Sequence, residues 1–361
     1  MFKPVTGLKK GIQPVILLLF GLAIGLGLAE LGAWLYDDAR PWHVDLRPKQ
    51  ELKVFKYMPN TRIRWTLNPD HPGINSLGVR DEEFTPLPGP GEFRIAVVGD
   101  SIPFGVGVGM EESYPQVLER KLKAQGIADV QVINAGVPGY TGTQVAAFLK
   151  SHVLLWRPSK IIISLAVNDL DSLPVVIEKD GNLYWEFYAD RQGPDFSRPI
   201  FPFGTRGHIW LWRHSHLYRL LSRAIFSLQA GDDVGFGVEL SARRNIAALK
   251  DAFFTCRKMK IDAFGVLVPL LQDAPDPMWG PRAERLVKSL KEAGLNIMEI
   301  RKDLLSKAGS LESLRVSPKD RFHLNKKGNE LVAEILVQRM KHLGWIREND
   351  AGSYHLAQPD N

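Results

Sequence analysis

Four short, almost unbroken apolar runs constrain this 361-residue chain more than any other feature: 93–98, 129–134, 160–166 ("KIIISLA") and 263–269 ("AFGVLVP"). Between them lie stretches of helical period. In 113–125, Tyr114, Val117, Leu118 and Leu122 fall on one face, and 142–156 and 280–293 read as further helices. Strands that are apolar throughout, instead of alternately, are covered on both faces, and strands separated by helices run parallel. The pattern predicts an α/β fold with a parallel sheet under two helical layers, over residues 91–346.

The amino terminus carries a second signal. Residues 14–29, "PVILLLFGLAIGLGLA", hold no charge, and Glu30 alone interrupts the apolar character before Tyr36. That length supplies about 30 Å of helix, enough to cross a bilayer. Lys3, Lys9 and Lys10 precede the stretch while Asp37 and Asp38 follow it. This bias predicts a cytoplasmic segment at 1–11, a transmembrane anchor at 12–36 and everything beyond it outside the cytoplasm, periplasmic or at the cell surface. The competing reading is a cleaved leader with small residues at 27–29; the apolar stretch exceeds the usual leader core of roughly 7–15 residues, which favours an uncleaved anchor. Gly21 and Gly25 form a G-x-x-x-G pair of the kind that packs two such helices together.

Residues 37–90 are polar and proline-bearing and read as a connector or cap of short strands and turns. An aromatic-rich insertion occupies 170–240, and residues 347–361 read as a flexible tail. The net charge of +6 is dispersed, which argues against nucleic acid as a partner. The single cysteine, Cys256, excludes an intrachain disulfide and a cysteine-built zinc site; on an amphipathic helix it reads as a buried structural thiol.

Reactive groups of a doubly wound sheet collect beyond the carboxyl ends of its strands. The first apolar run ends at "GDSIPFGVGVG", which places Ser101 there. A serine hydroxyl needs a base and donors for a developing oxyanion. The second run ends in "NAGVPGY", where Gly136 lets its backbone N–H approach a ligand, and the third ends in "AVND", where Asn168 offers an amide donor. In "DRFH", Asp320 and His323 stand three apart ahead of the last helix, a spacing at which the carboxylate can fix the imidazole tautomer.

Taken together, "GDSI", "NAGVPGY", "AVND" and "DRFH" resemble the four blocks of the SGNH, or GDSL-type, hydrolase superfamily, over roughly residues 75–343. The resemblance implies a three-layer α/β/α fold of flavodoxin-like character. It implies Ser101 as nucleophile, His323 as base, Asp320 as its orienting acid, and an oxyanion hole of the Ser101 and Gly136 N–H groups with the Asn168 amide. It further implies acyl transfer or ester hydrolysis without a metal or other cofactor. Two positions depart from the pattern: Ile102 replaces the usual leucine, and Ala166 the usual glycine. Neither removes a reacting group.

Other features have plainer readings. Gly105, Gly107 and Gly109 lack the spacing of a dinucleotide or phosphate loop. His214 and His216 point apart on a helix and have no further ligand nearby. Asp169 reads as a helix cap, and Arg80 either edges the cleft or pairs with an acid. Trp185, Tyr188, Trp210 and Trp212 form either a platform for sugar rings or acyl chains, or a satellite core. The expected protein is a membrane-anchored esterase or acyltransferase, with an acylated glycan or a lipid ester as substrate. A lipase or phospholipase and a non-catalytic component of a polysaccharide machine are the alternatives.

Overall fold

The computed structural model describes residues 8–38, 55–57, 63, 65–170, 175–179, 182–186, 207, 210, 211, 214–222, 236–277, 279–348 and 354–356. The chain divides into two compact units: Met1–Arg47 with Phe187–Leu240, and Pro48–Glu186 with Ser241–Asn361.

The first unit contains α1 (Leu8–Asp38). Its segment Pro14–Leu35, of mean hydropathy 2.3, is long and apolar enough to cross a membrane, and its large aliphatic side chains from Val15 to Leu35 are exposed.

The second unit begins with an antiparallel pair, β1 (Phe55–Tyr57) and β2 (Trp65–Leu67). There follow β3 (Phe93–Gly99), the single turn α2 (Ser101–Phe104), α3 (Tyr114–Ala124), β4 (Val130–Gly136), α4 (Gly142–Ser151) and β5 (Lys160–Leu165). An antiparallel hairpin, β6 (Val175–Lys179) and β7 (Asn182–Glu186), precedes α5 (Phe236–Lys258), which enters this unit at Ser241, β8 (Asp262–Leu267) and α6 (Trp279–Glu292). The chain continues through β9 (Ile297–Glu299), α7 (Arg301–Ala308), α8 (Lys326–His342), β10 (Ile346–Glu348) and β11 (Tyr354–Leu356).

Five of these strands form one sheet in the order β4-β3-β5-β8-β9, parallel throughout. Successive side chains leave a strand on opposite faces. Thus Ala96, Val98, Ile161 and Ile163 enter one core with Val145 and Phe148 of α4, Leu249 and Phe253 of α5, and Leu286 and Leu290 of α6. Ile95, Val97, Ile162 and Val266 enter the other with Val117 and Leu118 of α3, Leu304 of α7, and Val332 and Leu336 of α8. The three-layer α/β/α arrangement follows: each strand is apolar at every position because each face has its own helical cover.

Register brings the strand ends level at one edge, with Gly99 opposite Gly136, Val98 opposite Ile163 and Leu165 opposite Leu267. In β4 the pairing runs to Gly136, two residues past the apolar run, because backbone hydrogen bonding does not stop where hydrophobicity does.

Two stretches differ from their sequence-based description. Within the region read as a connector or cap, Phe55, Ile63, Trp65, Leu67, Ile74 and Val79 are buried in the core that also holds Tyr140 and Phe148. The Tyr140 hydroxyl donates to the Trp65 carbonyl at 2.6 Å, and the two rings meet edge to face at 5.6 Å. Within the tail, Tyr354–Leu356 pairs with Ile346–Glu348, two three-residue strands too short for apolar periodicity to reveal.

Leu67 is fully buried, so Leu67→Ala is expected to lower the unfolding free energy by about 2–5 kcal/mol. The check is a lower urea midpoint at unchanged slope; a change near zero would mean that the 55–92 stretch is a detachable connector.

Candidate active site

The site grows from the end of β3. Asp100 caps α2, its Oδ1 accepting from the Ile102 N–H at 3.0 Å, and Ser101 becomes the first residue of that turn. Gly105 closes the turn in the left-handed region at φ 81°, donating to the Ser101 and Ile102 carbonyls. A Cβ on Gly105 would stand 2.7 Å from the Ser113 Cβ.

The imidazole arrives from the loop before α8. Asp320 Oδ1 accepts from the Phe322 and His323 N–H groups, each at 2.9 Å, and its Oδ2 lies 2.7 Å from His323 Nδ1. His323 Nε2 lies 2.9 Å from Ser101 Oγ. A carboxylate oxygen can only accept, so Nδ1 carries the proton and the Nε2 lone pair faces the serine hydroxyl. Burial opposes ionisation of Asp320, but the bonds from the His323 side chain and from two backbone N–H groups outweigh it and hold the carboxyl below its usual range. Asn325, not Asp320, caps α8, accepting from the Gly328 N–H at 3.0 Å.

Asn168 stands on the 3-10 turn Val167–Leu170 that follows β5, a turn closed by Asp169, whose Oδ2 accepts from the Ala166 N–H at 2.6 Å. One Nδ2 hydrogen of Asn168 goes to Asp100 Oδ2 at 3.0 Å, which leaves the other for a ligand. Asp100 is 1% exposed; burial raises its carboxyl above the ordinary range despite the bonds from Ile102 and Asn168 and the nearby His323.

Gly136 differs from its expected role. Its N–H donates to Asn134 Oδ1 at 3.1 Å and is already committed. Its lack of a side chain serves packing instead: a Cβ would stand 2.4 Å from the Phe104 nitrogen and 3.0 Å from the Asp100 carbonyl, so only glycine lets the end of β4 lie against the serine turn. The second glycine of the same block, Gly139, donates no hydrogen bond among the described residues; nor does the Ser101 N–H. Sequence alone offers both glycines and no means of choosing between them.

Two further side chains build the site from outside the sheet. Arg80 donates to the carbonyls of Phe104 at 2.7 Å, Gly105 at 2.8 Å and Val108 at 2.8 Å, stapling the chain that leaves the serine turn. Glu111 lies close enough to add a favourable charge interaction. Asp81 accepts from the Asn134 N–H at 2.8 Å and from Gln116 Nε2 at 2.7 Å, joining β4 to α3. Asn75 organises the turn that carries both, accepting from the Leu77 and Val79 N–H groups. The sequence signal for this group was the compact "NSLGVRDEEF", which has the look of a turn and no catalytic spacing.

Of the aromatic candidates, Trp210 is 58% exposed, stacks on His214 and belongs to the first unit, whereas the Ser101 group belongs to the second. Trp185 lies in β7 opposite Val176, and Tyr188 and Trp212 fall outside the described residues.

A hydroxyl aligned on a tautomer-fixed imidazole is an arrangement for acyl transfer. The sequence pattern of the GDSL-like lipase/acylhydrolase family matches residues 97–331. The chain belongs to that family and is an ester-bond hydrolase. Solved structures similar to it include an acetyl xylan esterase (16% identity, 68% of this chain and 99% of that one, TM-score 0.42). A lipase/acylhydrolase from Enterococcus faecalis is also similar (19% identity, 70% and 96%, TM-score 0.42). A third is a catalytic mutant of an acetylxylan esterase from Geobacillus stearothermophilus (13% identity, 70% and 95%, TM-score 0.41). Likenesses at this level say nothing of substrate. No curated protein sequence matches the chain.

Burial pushes the Asp81 carboxyl from 3.8 up to about 7, against the hydrogen bonds that favour its ionised form. A raised folded-state value means stability fully present below about pH 4 and lost as pH rises through about 7, a loss of order 4 kcal/mol. Unfolding free energies measured at pH 5 and pH 8 are expected to diverge more for the wild type than for Asp81→Asn; parallel profiles would refute the assignment.

Proposed function

We propose that this chain is a serine esterase held outside the cytoplasm by α1, releasing short acyl groups, acetyl above all, from glycans through an acyl-enzyme on Ser101. The observation that carries the catalytic part is the continuous line from Asp320 through His323 to Ser101 Oγ, at 2.7 and 2.9 Å. Support for the location is the lysine bias ahead of the span and the acidic pair behind it. An envelope or exported glycan is the class of acylated substrate that an enzyme so placed would meet.

In the first half-reaction His323 Nε2 takes the Ser101 proton as Oγ bonds to the ester carbonyl carbon, and the carbonyl electron pair moves onto oxygen. That oxyanion is received by the N–H groups of Ser101 and Gly139 and by the free hydrogen of Asn168 Nδ2. Collapse re-forms the carbonyl and expels the alcohol, which leaves with the proton from Nε2. Water, deprotonated by the same nitrogen, then releases the acid and regenerates Ser101. A second hydroxyl in place of water would give O-acyl transfer by the same steps.

Fluorophosphonate labelling of the full-length chain is expected to modify Ser101, to vanish in Ser101→Ala and to fall by about 10²–10⁴-fold in rate in His323→Ala. Asn168→Ala is expected to lose about 10²–10³ in kcat. Chromogenic esters decide the acyl length: preference for acetyl supports the glycan reading, and preference for long chains would replace it with a lipase or phospholipase. Absence of labelling in folded protein would leave a non-catalytic component of a polysaccharide machine.

A further inference from the structure

Glu30 is the one acidic residue within the apolar span Pro14–Leu35. A carboxylate inside a bilayer is expensive, and it is retained where it faces a partner. The partner here is another part of the first unit. Glu30 Oε2 accepts from the Ser215 hydroxyl at 2.7 Å and from the Leu217 N–H at 3.2 Å, and Oε1 accepts from the His216 N–H. Ser215 Oγ in turn accepts from the Tyr218 N–H at 3.0 Å. The first three N–H groups of the helical residues 216–222, which no intrahelical carbonyl can satisfy, are therefore met by one carboxylate and one serine.

This contact fixes a depth. Glu30 stands five residues before Leu35, about 7 Å inside the end of the span at 1.5 Å per residue. Whatever binds the Glu30 carboxylate must reach the same depth, so the backbone at 215–217 enters the bilayer if α1 spans it. The neighbouring side chains suit that position. Trp210 and Leu221 are 58% and 46% exposed, alongside the exposed Leu31, Trp34 and Leu35 of α1. Arg219 stays beside a polar partner, its Nη2 lying 2.5 Å from His216 Nδ1. Tryptophan with arginine and histidine next to aliphatic residues is the composition of a segment at the boundary between headgroups and acyl chains.

We propose that the helical residues 216–222, with Trp210 and Leu211, form a second membrane-embedded element, seated in the outer leaflet on the anchor through Glu30. Its partner is the lipid bilayer, and the inference rests on the reading that α1 spans that bilayer. The catalytic unit would then be tied to the membrane both by the chain after α1 and by the two strands of chain that lead into and out of this element.

The test uses the full-length chain in phospholipid vesicles, spin-labelled at single introduced cysteines: Leu22→Cys in the anchor, Leu221→Cys in the element, and Leu155→Cys at an exposed position of the catalytic unit. The native Cys256 is buried and its thiol is pushed up to about 11, so it stays unlabelled. Labels at 22 and 221 are expected to collide with oxygen in preference to a water-soluble nickel chelate, with the preference reversed at 155. In Glu30→Leu, the label at 221 is expected to turn chelate-accessible while that at 22 is unchanged. A lipid-facing label at 22 with an aqueous one at 221 would overturn the element and leave the anchor standing. An aqueous label at 22 would remove the anchor and the element with it. Spin–spin broadening at 221 would assign the face to a second copy of the chain, and no response to Glu30→Leu would overturn its seat.

Discussion

The Asp100 carboxylate joins the two turns on which the active site depends. One oxygen caps the turn that begins with Ser101, and the other holds the Asn168 amide at the end of the neighbouring strand. Both turns stand at the carboxyl edge of a parallel sheet, where each strand simply stops and its successor is free to change direction. Without a shared acceptor, each would set its own geometry. With one, the backbone N–H of Ser101 and the free hydrogen of Asn168 are placed by a single buried group, and the reacting atoms inherit the rigidity of the sheet.

Rigidity at that edge is reinforced from a segment that belongs to no strand of the sheet. Arg80 gathers three carbonyls of the chain leaving the serine turn, and Asp81 grips the Asn134 N–H, whose own side chain holds the Gly136 N–H. The same segment buries Val79 and stands close in sequence to Trp65 and Leu67, so core formation and site formation use one piece of chain. Buried charges of this kind cost stability unless fully bonded; the three carbonyls meet the requirement for the Arg80 guanidinium, whereas the bonds to Asp81 do not outweigh its burial.

The three layers and the strand edge were legible because apolar periodicity reports burial directly; Ser101 and Asn168 stood out because they follow the ends of two apolar runs, and Asp320 and His323 because their spacing of three lets a carboxylate reach an imidazole. Arg80, Asp81 and Asn134 were not legible, since most of their partners are backbone groups that any residue could have supplied. The donor glycine of the second block was not legible for a related reason. Gly136 and Gly139 look alike in sequence, and what separates them is a hydrogen bond from one N–H to Asn134 Oδ1 and the lack of one from the other.

By itself, then, the sequence determined the alternation of buried strands and helices, an apolar helix long enough to cross a bilayer, and the residue types available for acyl transfer, because each is a local property of composition and period. Tertiary structure alone decided which glycine N–H is left without a partner among the described residues, that Trp65, Leu67 and Val79 are part of the core, and that Glu30 meets Ser215 across 185 residues of chain. These depend on which backbone groups are left unpaired once the elements pack, and that pairing is settled by contacts between residues far apart in the chain.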